Sequence, residues 1–303
     1  MDIAKIVPGI KKNVPLKNHT TFRVGGPAKY FFVAKNKKEL IKIIDAARKS
    51  KLPFFILGAG SNILVSDKGY NGIVIKIKNS KKKKFLASES KIQSSNIYTG
   101  AGTQLARLVK LSLDKSLSGL EWAAGIPGTV GGAIYGNAGW PGDKKNISSI
   151  VKSVKVLFAG PKMKIKDFKK KDCQFGYRES IFKHNKNLII LEAILQLKKG
   201  KRNKIKKEII KILKAKRNKI PAGFSAGCIF KNPPGLNAGE LIEKSGLKGK
   251  KIGGAKISEK HANFIMNTKK AKAEDILELI KIVKARVKKE FDVKLAEEIQ
   301  IIK

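Results

Sequence analysis

Apolar residues recur along this chain in two periods, one typical of strands and one typical of helices. Short apolar runs predict strands at KYFFV (29–33), FFIL (54–57), IVIKI (73–77), IQSSNIYTG (92–100) and LIILEAILQL (188–197). Residues that follow Asn36 instead keep the spacing of one helix face as far as Ser50: Leu40, Ile43, Ile44 and Ala47. Asn36 followed by Glu39 resembles a capping box and predicts where that helix begins.

The same two patterns continue in the rest of the chain. Helical spacing recurs in 104–113, 203–219, 239–245 and 273–290. In 203–219 lysines alternate with apolar residues that we expect on the buried side: Ile205, Ile209, Ile212 and Leu213. VKVLF and KMKIK, joined at Ala159-Gly160-Pro161, predict a hairpin, and a last strand is expected at 298–302. The mixture predicts an α+β fold in two units, 1–200 and 201–303.

Composition adds a strong positive charge, with 66 Lys and Arg against 23 Asp and Glu and a formal net charge of +43. Such a charge is compatible with nucleic-acid binding. However, only seven of the basic residues are arginine, and the lysines are spread over nearly every segment. A dedicated site would cluster its basic residues and use the arginine fork. We therefore expect a solvated lysine-rich surface, with KKKK (81–84) in an exposed loop, and no specific nucleic-acid partner.

Cysteine and histidine positions exclude several kinds of site. Two cysteines, Cys173 and Cys228, do not make a disulfide framework and fit a reducing compartment. They stand far apart in sequence, and the three histidines show no ligand spacing, so we expect no metal site.

The N-terminus lacks an apolar signal-peptide core, and no apolar run approaches the ~18 residues of a membrane helix. The sequence predicts a cytoplasmic protein without membrane insertion.

Two glycine-containing segments carry the candidate chemistry. The segment 119–142 holds eight of the 28 glycines and no Lys or Arg, but several large apolar side chains. Glycine permits close backbone approach, so this composition predicts an ordered loop around a ligand rather than a linker. The second segment, GAGSN (58–62), follows a predicted strand. Residue 63 is Ile rather than the third Gly of a Rossmann fingerprint, but such a turn can still aim N–H groups at a pyrophosphate.

These segments resemble known motifs. LGAGSNILVSD (57–67) and AGIPGTVGGAIYGNAG (124–139) are similar to the FAD-binding domain of the vanillyl-alcohol-oxidase/PCMH type. The other motifs narrow the resemblance to the MurB family of UDP-N-acetylenolpyruvoylglucosamine reductases, in its order and over almost the whole chain: HTTFRVGGPA (19–28), CQFGYRES (173–180), SAGCIFKNP (225–233), the run 238–267 and LAEEIQII (295–302). The region between Arg178 and Lys198 lacks an extra tyrosine-bearing loop and resembles the compact branch.

The resemblance implies a fold, cofactors and a reaction. It implies an FAD-binding domain at 1–200, with two α+β subdomains near 1–80 and 85–200, and a smaller α+β substrate domain at 201–303. The implied reaction is NADPH-dependent reduction of the enolpyruvyl ether of UDP-N-acetylglucosamine to UDP-N-acetylmuramate, by a cytoplasmic monomer acting on small molecules. The implied FAD-binding residues are Gly58, Ala59, Gly60, Ser61, Asn62, Ala124, Gly125, Ile126, Pro127, Gly128, Thr129, Gly131, Gly132 and Ala133.

The family pattern also assigns roles to polar residues. Arg178 would stabilise the enolate; its retention in a lysine-rich chain is consistent with a need for the planar fork. Cys228 would donate the final proton where many relatives carry serine, and an ordinary thiol is a stronger acid than a hydroxyl. The acid partner of the arginine would be Glu298, with Glu297 as the alternative in a slipped register.

Further residues and alternative functions complete the interpretation. Tyr177, Lys231 and Asn232 match positions that contact the nucleotide-sugar substrate or the nicotinamide in the family, and Cys173 is interpreted as a core residue. Arg23 has either a flavin-supporting or a structural role. Two alternative functions remain: another FAD-dependent oxidoreductase of the same fold, and a nucleic-acid-binding protein. Anaerobic reduction by NADPH without oxygen-dependent turnover would exclude a flavoprotein oxidase, and a yellow protein with bound FAD and no salt-resistant DNA binding would exclude the nucleic-acid-binding protein.

Overall fold

The computed structural model describes residues 3, 7–77, 91–140, 145–160, 162–268 and 270–303. The predicted KKKK loop and the end of the glycine-rich segment, at 141–142, lie outside the described residues. The chain divides into two compact units, called here the first unit (Met1–Ile10, Phe32–Ala59 and Ile75–Lys216) and the second unit (Lys11–Phe31, Gly60–Val74 and Arg217–Lys303). The expected domain boundary between residues 200 and 201 stays a prediction.

Helices occur throughout the described chain. The α-helices are α1 (Lys37–Lys49), α2 (Leu105–Asp114), α3 (Val130–Tyr135), α4 (Ile181–His184), α5 (Arg202–Lys219), α6 (Ala238–Lys244) and α7 (Ala273–Phe291). Short 3-10 helices are formed by Leu16–His19, Glu121–Ala123, Ile147–Ser149 and Lys170–Cys173.

Strands alternate with these helices along the described chain. The earlier ones are β1 (Lys11–Pro15), β2 (Pro27–Ala34), β3 (Phe54–Leu57), β4 (Ile63–Val65), β5 (Tyr70–Ile77), β6 (Lys91–Gln93), β7 (Asn96–Gly100), β8 (Leu117–Ser118) and β9 (Gly139–Trp140). The later ones are β10 (Lys145–Asn146), β11 (Val151–Phe158), β12 (Lys164–Lys169), β13 (Leu188–Gln196), β14 (Lys198–Lys199), β15 (Lys251–Ile252), β16 (Ala255–Ile257), β17 (Ile265–Asn267) and β18 (Gln300–Ile302). A four-stranded sheet has the order β1-β2-β5-β3.

The first unit is built around a five-stranded sheet of order β12-β11-β13-β7-β6. The strand β13 pairs antiparallel with both β11 and β7 and is almost wholly buried. Its apolar residues pack with α2, α3 and the fully buried Trp122 in one core cluster. Burial on both faces explains the near-continuous hydrophobic run that predicted this strand.

The second unit has a separate core. The helices α6 and α7 pack with the three-stranded sheet β15-β16-β17, and Phe22, Leu64 and Phe230 are buried in the same cluster. The C-terminal strand β18 pairs in parallel with β4, with Gln300 opposite Ile63. Strand pairing therefore joins the C-terminal segment of the chain to an early segment within this unit.

Most predicted elements are confirmed, with one strand corrected. The Asn36 side chain accepts a hydrogen bond from the Glu39 amide at 2.9 Å, as the capping box predicted, and β11 and β12 form the predicted hairpin. The strand expected at 92–100 is instead two, β6 and β7, paired antiparallel through a turn at Ser94–Ser95. Ser94 adopts a left-handed φ of 57°, which breaks the extended chain.

The buried face of α5 also differs from the expected one. Ile205 and Ile212 are buried, as predicted, but Leu213 is 43% exposed. The inner stripe continues instead at Lys216, four residues after Ile212, where only 4% of the residue is exposed. Leu213 was expected on the buried face of α5 because it is hydrophobic. The hydrophobic pattern could not predict that Lys216 would be buried there instead.

Candidate active site

The loop 58–62 lies between β3 and β4 and presents a row of backbone amides. In the described part of the chain, no protein acceptor takes a hydrogen bond from these five amides. Backbone N–H groups in native proteins are nearly always paired with protein, water or ligand, and successive free N–H groups in a turn form an anion-binding concavity. This loop is therefore suited to a phosphate-bearing cofactor.

Glycine is required in this loop for two different reasons. In the first unit, a Cβ added to Gly58 would lie 2.8 Å from Thr129 Oγ1. In the second unit, Gly60 has a left-handed φ of +68°, and a Cβ there would lie 2.2 Å from the carbonyl oxygen of His19. A side chain at either position would need the backbone to shift.

The segment 124–133 approaches Gly58 in the first unit. Thr129 precedes α3 and its Oγ1 accepts a hydrogen bond from the Gly132 amide at 3.3 Å. A Cβ added to Gly131 would lie 2.9 Å from Ala101 Cβ. The structure therefore brings together the Gly58 end of one predicted FAD-binding segment and the Thr129 part of the other, at distances that leave no room for larger side chains.

Lys216 belongs to this region and was missed by sequence reasoning. Its Nζ donates hydrogen bonds to the carbonyl oxygens of Trp122 (2.7 Å) and Ala124 (2.6 Å) and lies 4.9 Å from the ring centroid of Trp140. Burial lowers the pKa of Lys216 from 10.5 to about 8. The signal that could have found it is its position, four residues after Ile212 on the buried face of α5.

Tyr177 and Arg178 form the tip of a tight turn in the first unit. The N–H and C=O groups of Gly176 and Glu179 exchange hydrogen bonds of 3.1 and 3.2 Å, and Arg178 has a left-handed φ of 57°. Its Nη2 donates to the Gly139 carbonyl at 3.2 Å, and its guanidinium carbon lies 5.5 Å from the Tyr177 ring centroid. The turn holds the half-buried arginine and the exposed tyrosine beside each other.

Cys228 lies in an extended segment of the second unit that Asn263 holds in place. Cys228 forms a bridge with Phe264. The buried Asn263 side chain accepts from the Phe230 amide at 2.9 Å and donates to the Phe230 carbonyl at 2.8 Å, as an added backbone strand would. Its backbone carbonyl also accepts from the Ile229 amide at 2.9 Å. The position of the thiol is thus fixed by bonds on its C-terminal side.

Glu297 and Glu298 have different surroundings in the second unit. Glu297 forms an ion pair with Lys284, with Oε1 and Nζ 2.9 Å apart. The Glu298 amide donates to the Ile229 carbonyl at 2.7 Å, and the Glu298 carbonyl accepts from Asn62 Nδ2 at 3.2 Å. The backbone of Glu298 is therefore anchored between the loop that contains Asn62 and the segment that contains Cys228.

The remaining candidates extend the same arrangement in the second unit. The Lys231 amide donates to the Ala296 carbonyl at 2.9 Å, and Asn232 Oδ1 accepts from the Ala238 amide at 3.1 Å. Thr21, in the HTTFRVGGPA motif, has its amide bonded to the Gly60 carbonyl at 3.0 Å and its hydroxyl to the Ser225 carbonyl at 2.7 Å. Sequence reasoning did not single out Thr21, although the motif contained it.

The structure thus places the predicted site residues in two groups. The first unit holds Gly58, Ala59, Ala124, Gly125, Ile126, Pro127, Gly128, Thr129, Gly131, Gly132, Ala133, Tyr177 and Arg178. The second unit holds Gly60, Ser61, Asn62, Cys228, Lys231, Asn232 and Glu298. In the second unit, backbone and side-chain bonds bring Asn62, the Cys228 segment and Glu298 together.

Three further observations concern Cys173, metal-ligand groups and membrane-spanning helices. Cys173 is fully buried, and burial, followed by the charge of Asp172, raises the pKa of its thiol to about 12; this fits the predicted core role. Among the residues that the structure describes, no group of three or more His, Cys, Asp or Glu side chains could hold a metal ion. Over those residues, no helix has the length and apolarity needed to cross a membrane.

Comparison with protein families gives two matches. Residues 28–164 match an FAD binding domain, and residues 219–302 match the C-terminal domain of UDP-N-acetylenolpyruvoylglucosamine reductase. Together these matches confirm the predicted fold class, a FAD-binding domain followed by a smaller α+β domain.

Individual relatives match nearly the whole chain. The chain is 41% identical to a UDP-N-acetylenolpyruvoylglucosamine reductase of Caldanaerobacter subterraneus subsp. tengcongensis, over 96% of this chain and 92% of that protein. It is 39% identical to one of Syntrophomonas wolfei, over 97% and 95%. The crystal structure of the Thermus caldophilus reductase (MurB) superimposes with a TM-score of 0.81 at 34% identity, covering 97% of this chain and all of that one.

Proposed function

Since this chain belongs to the UDP-N-acetylenolpyruvoylglucosamine reductase family, we propose that it carries out the reduction step of peptidoglycan precursor synthesis. The substrate is the enolpyruvyl ether of UDP-N-acetylglucosamine and the product is UDP-N-acetylmuramate. The observation that carries the proposal is the high identity to named reductases over almost the full length of both proteins. The match of 219–302 to the C-terminal domain of this reductase disfavours another FAD-dependent oxidoreductase of the same fold.

The residues present fit FAD. The unpaired amides of the loop 58–62 suit the pyrophosphate, and the crowding between Gly58 and Thr129 suits a cofactor lying against bare backbone. We assign cofactor binding to 58–62 and to Ala124–Thr129 with Gly131, Gly132 and Ala133. When bound and reduced by NADPH, FAD supplies the hydride that enters the terminal vinyl carbon of the substrate.

Arg178 provides the fixed positive charge for the developing anion. Addition of a hydride to the vinyl carbon leaves negative charge on the neighbouring carbon, which spreads into the carboxylate. A guanidinium that is permanently charged and already held by its hydrogen bond to Gly139 needs little reorganisation when that charge appears. Glu298 is its acid partner at the enolate.

Cys228 donates the proton that completes the reaction at the α-carbon. A thiol is mostly protonated at neutral pH and is more acidic than the hydroxyl of serine, so it is competent as a general acid. The bonds that Asn263 makes to Phe230 hold the segment that carries this thiol. Tyr177, Lys231 and Asn232 bind the nucleotide-sugar part of the substrate.

The wider setting follows from the same assignment. The FAD-binding domain comprises residues 1–200, with subdomains near 1–80 and 85–200, and the substrate domain comprises 201–303. The protein acts as a cytoplasmic monomer on small molecules, takes its hydride from NADPH and has no specific nucleic-acid partner. Copurified yellow flavin and a monomeric mass in solution are the expected observations.

Anaerobic half-reactions test the proposal. NADPH is expected to bleach the visible flavin band of the purified protein, and the enolpyruvyl substrate to restore it. Replacing Cys228 by Ala should leave the first step intact and slow the second by at least ~100-fold, whereas Cys228→Ser should retain most of the rate. Reoxidation of Cys228→Ala at the wild-type rate would remove Cys228 from the mechanism. Failure of the wild-type flavin to reoxidise with substrate would overturn the function itself.

A further inference from the structure

A cleft within the second unit has a volume of about 610 Å³. It is lined by Lys17, Arg23 and Lys270, by the exposed ring of Phe224, and by Asp67 and Asn267. Clefts of this size accommodate small organic ligands. Arg23 is the arginine whose role the sequence left open, and the proposed reduction uses none of these side chains.

The cleft is separate from the residues assigned to catalysis. Asp67 follows β4 at the end opposite to Asn62, whose side chain bonds the Glu298 backbone. Asp67 lies five positions after Asn62 along a largely extended chain, a span of roughly 15 Å. Likewise, Phe224 bridges Asn267 whereas Cys228 bridges Phe264, three positions away and about 10 Å along the strand. A ligand in this cleft would therefore not occupy the position of the reacting group.

The charge of the cleft is positive and uncompensated. In the described part of the chain, no carboxylate lies within ion-pair distance of Lys17, Arg23 or Lys270. The one acidic lining residue is already engaged. Asp67 accepts hydrogen bonds from the first amides of α7, with Oδ1 2.9 Å from the Ala273 nitrogen and Oδ2 3.1 Å from the Glu274 nitrogen. Three cations therefore face a cleft whose only carboxylate is engaged at the start of a helix.

The backbone that carries two of these cations is held in an unusual conformation. Arg23 and Lys270 have left-handed φ values of 56° and 52°. Such conformations cost on the order of 1 kcal/mol each and persist only where the surroundings enforce them. Asn267 does so for both, because its Nδ2 donates to the Phe22 carbonyl at 3.0 Å and its Oδ1 accepts from the Ala271 amide at 3.1 Å.

One wall of the cleft is aromatic. Phe224 is 51% exposed, and the Arg23 guanidinium carbon lies 5.8 Å from its ring centroid. An exposed phenyl ring beside a cluster of cations offers a flat apolar surface next to a site for negative charge. Nucleotides combine a planar base with phosphate groups, and they satisfy both features.

We propose that this cleft binds a nucleoside phosphate, with the phosphoryl groups on Lys17, Arg23 and Lys270 and the base on Phe224. The inference does not depend on the proposed reduction.

Binding of ADP to the flavin-loaded protein tests the proposal. By calorimetry, Arg23→Gln and Lys270→Gln should each weaken ADP binding about tenfold, as expected for loss of one charge-assisted bond. Lys281→Gln, an equal charge change at an exposed position of α7 outside the cleft, should leave it unchanged. Phe224→Leu should weaken ADP severalfold without affecting inorganic phosphate.

Several outcomes would overturn this assignment. Wild-type affinity in both Arg23→Gln and Lys270→Gln would do so, as would an equal loss in Lys281→Gln, which would indicate diffuse attraction to a basic protein. Flavin reduction by NADPH serves as the folding check, since all four variants should keep the wild-type rate. Loss of ADP binding with normal reduction would separate this cleft from the reductase activity.

Discussion

Glu297 and Glu298 are neighbours in sequence but have different surroundings in the second unit. Glu297 pairs with Lys284 across a half-exposed surface, with side-chain exposures of 30% and 42%. Successive side chains of an extended segment point to opposite faces, so only one of these two glutamates is expected to serve as the acid partner. Glu298 therefore stays the proposed acid partner, with Glu297 as the alternative in a slipped register.

We predict opposite consequences for the two glutamine variants. Glu298→Gln should slow flavin reoxidation by the substrate at least ~100-fold while NADPH still reduces the flavin, because only the enolate loses its partner. Glu297→Gln should keep both rates and lower the free energy of unfolding by less than ~1 kcal/mol, as for a solvent-screened pair. Stopped-flow absorbance and urea unfolding measure these effects. Loss of reoxidation in Glu297→Gln alone would instead assign Glu297 as the acid partner, as the slipped register implies.

Lys216 gives a pH dependence of stability with a defined sign. Its pKa is about 8 in the folded protein and near 10.5 when unfolded, so the unfolded chain binds more protons between these values. The cost of burying its charge is fully present below pH 8 and is relieved as the pH rises toward 10.5. We expect this residue to contribute a rise of about 2 kcal/mol in unfolding free energy between about pH 7.5 and 9.5.

A matched pair of variants separates the contribution of Lys216 to this rise in unfolding free energy from the contributions of the other lysines. Lys216→Met should lose the 2 kcal/mol increment in urea unfolding, whereas Lys214→Met, an exposed neighbour on α5, should keep it. An unchanged slope in Lys216→Met would mean that the buried amine is not the titrating group.

Lys216 could not be identified from composition, because in a chain with 66 basic residues a single lysine is uninformative until its packing is known.

At the scale of elements, the segment that carries Cys228 depends on one side chain. Asn263 is 3% exposed and bonds both the N–H and the C=O of Phe230. Asn263→Ala leaves two buried backbone groups without partners, so we predict a loss of about 2–4 kcal/mol in the free energy of unfolding.

A second asparagine provides the control for this measurement. Asn237 caps α6 by accepting from the Gly239 amide at 2.9 Å, but it is exposed. Asn237→Ala should cost only about 1 kcal/mol in the same urea experiment, since water replaces the lost acceptor. Equal losses in Asn237→Ala and Asn263→Ala would show that burial does not set the cost at Phe230.

Local patterns predicted the elements well where local forces decide them. The Asn36 cap, the β11–β12 hairpin and α7 are all where the sequence placed them, because capping bonds and turn residues act within a few positions. The split of 92–100 into β6 and β7 was missed, since serine carries no obligatory turn signal and Ser94 takes its left-handed φ from hairpin pairing. The hydrogen bonds between the Asn263 side chain and the Phe230 backbone were not predicted, because these residues are 33 positions apart.

The whole molecule combines few acidic groups with many dispersed lysines. Most described ion pairs are solvent-exposed, such as Lys49 with Asp45, at side-chain exposures of 74% and 41%. Such pairs contribute little, whereas a net charge of +43 repels itself over the whole surface. The family could be recognised from sequence despite this background, because its glycine-containing motifs stand out in a lysine-rich chain, whereas the roles of the individual catalytic residues stay predictions. The charge itself bears on stability rather than on fold.

Salt should therefore stabilise this protein. Raising ionic strength from about 0.02 to 0.3 M shortens the Debye length from ~20 to ~6 Å and screens repulsion between lysines more than it weakens the scattered pairs. We predict that the apparent melting temperature rises by several degrees, where about 2–4 °C corresponds to 1 kcal/mol for a protein approaching this size. Sodium and potassium chloride at equal ionic strength should act alike in scanning calorimetry. A melting temperature that falls with salt would mean that exposed pairs such as Lys284–Glu297 outweigh the repulsion of the excess positive charge.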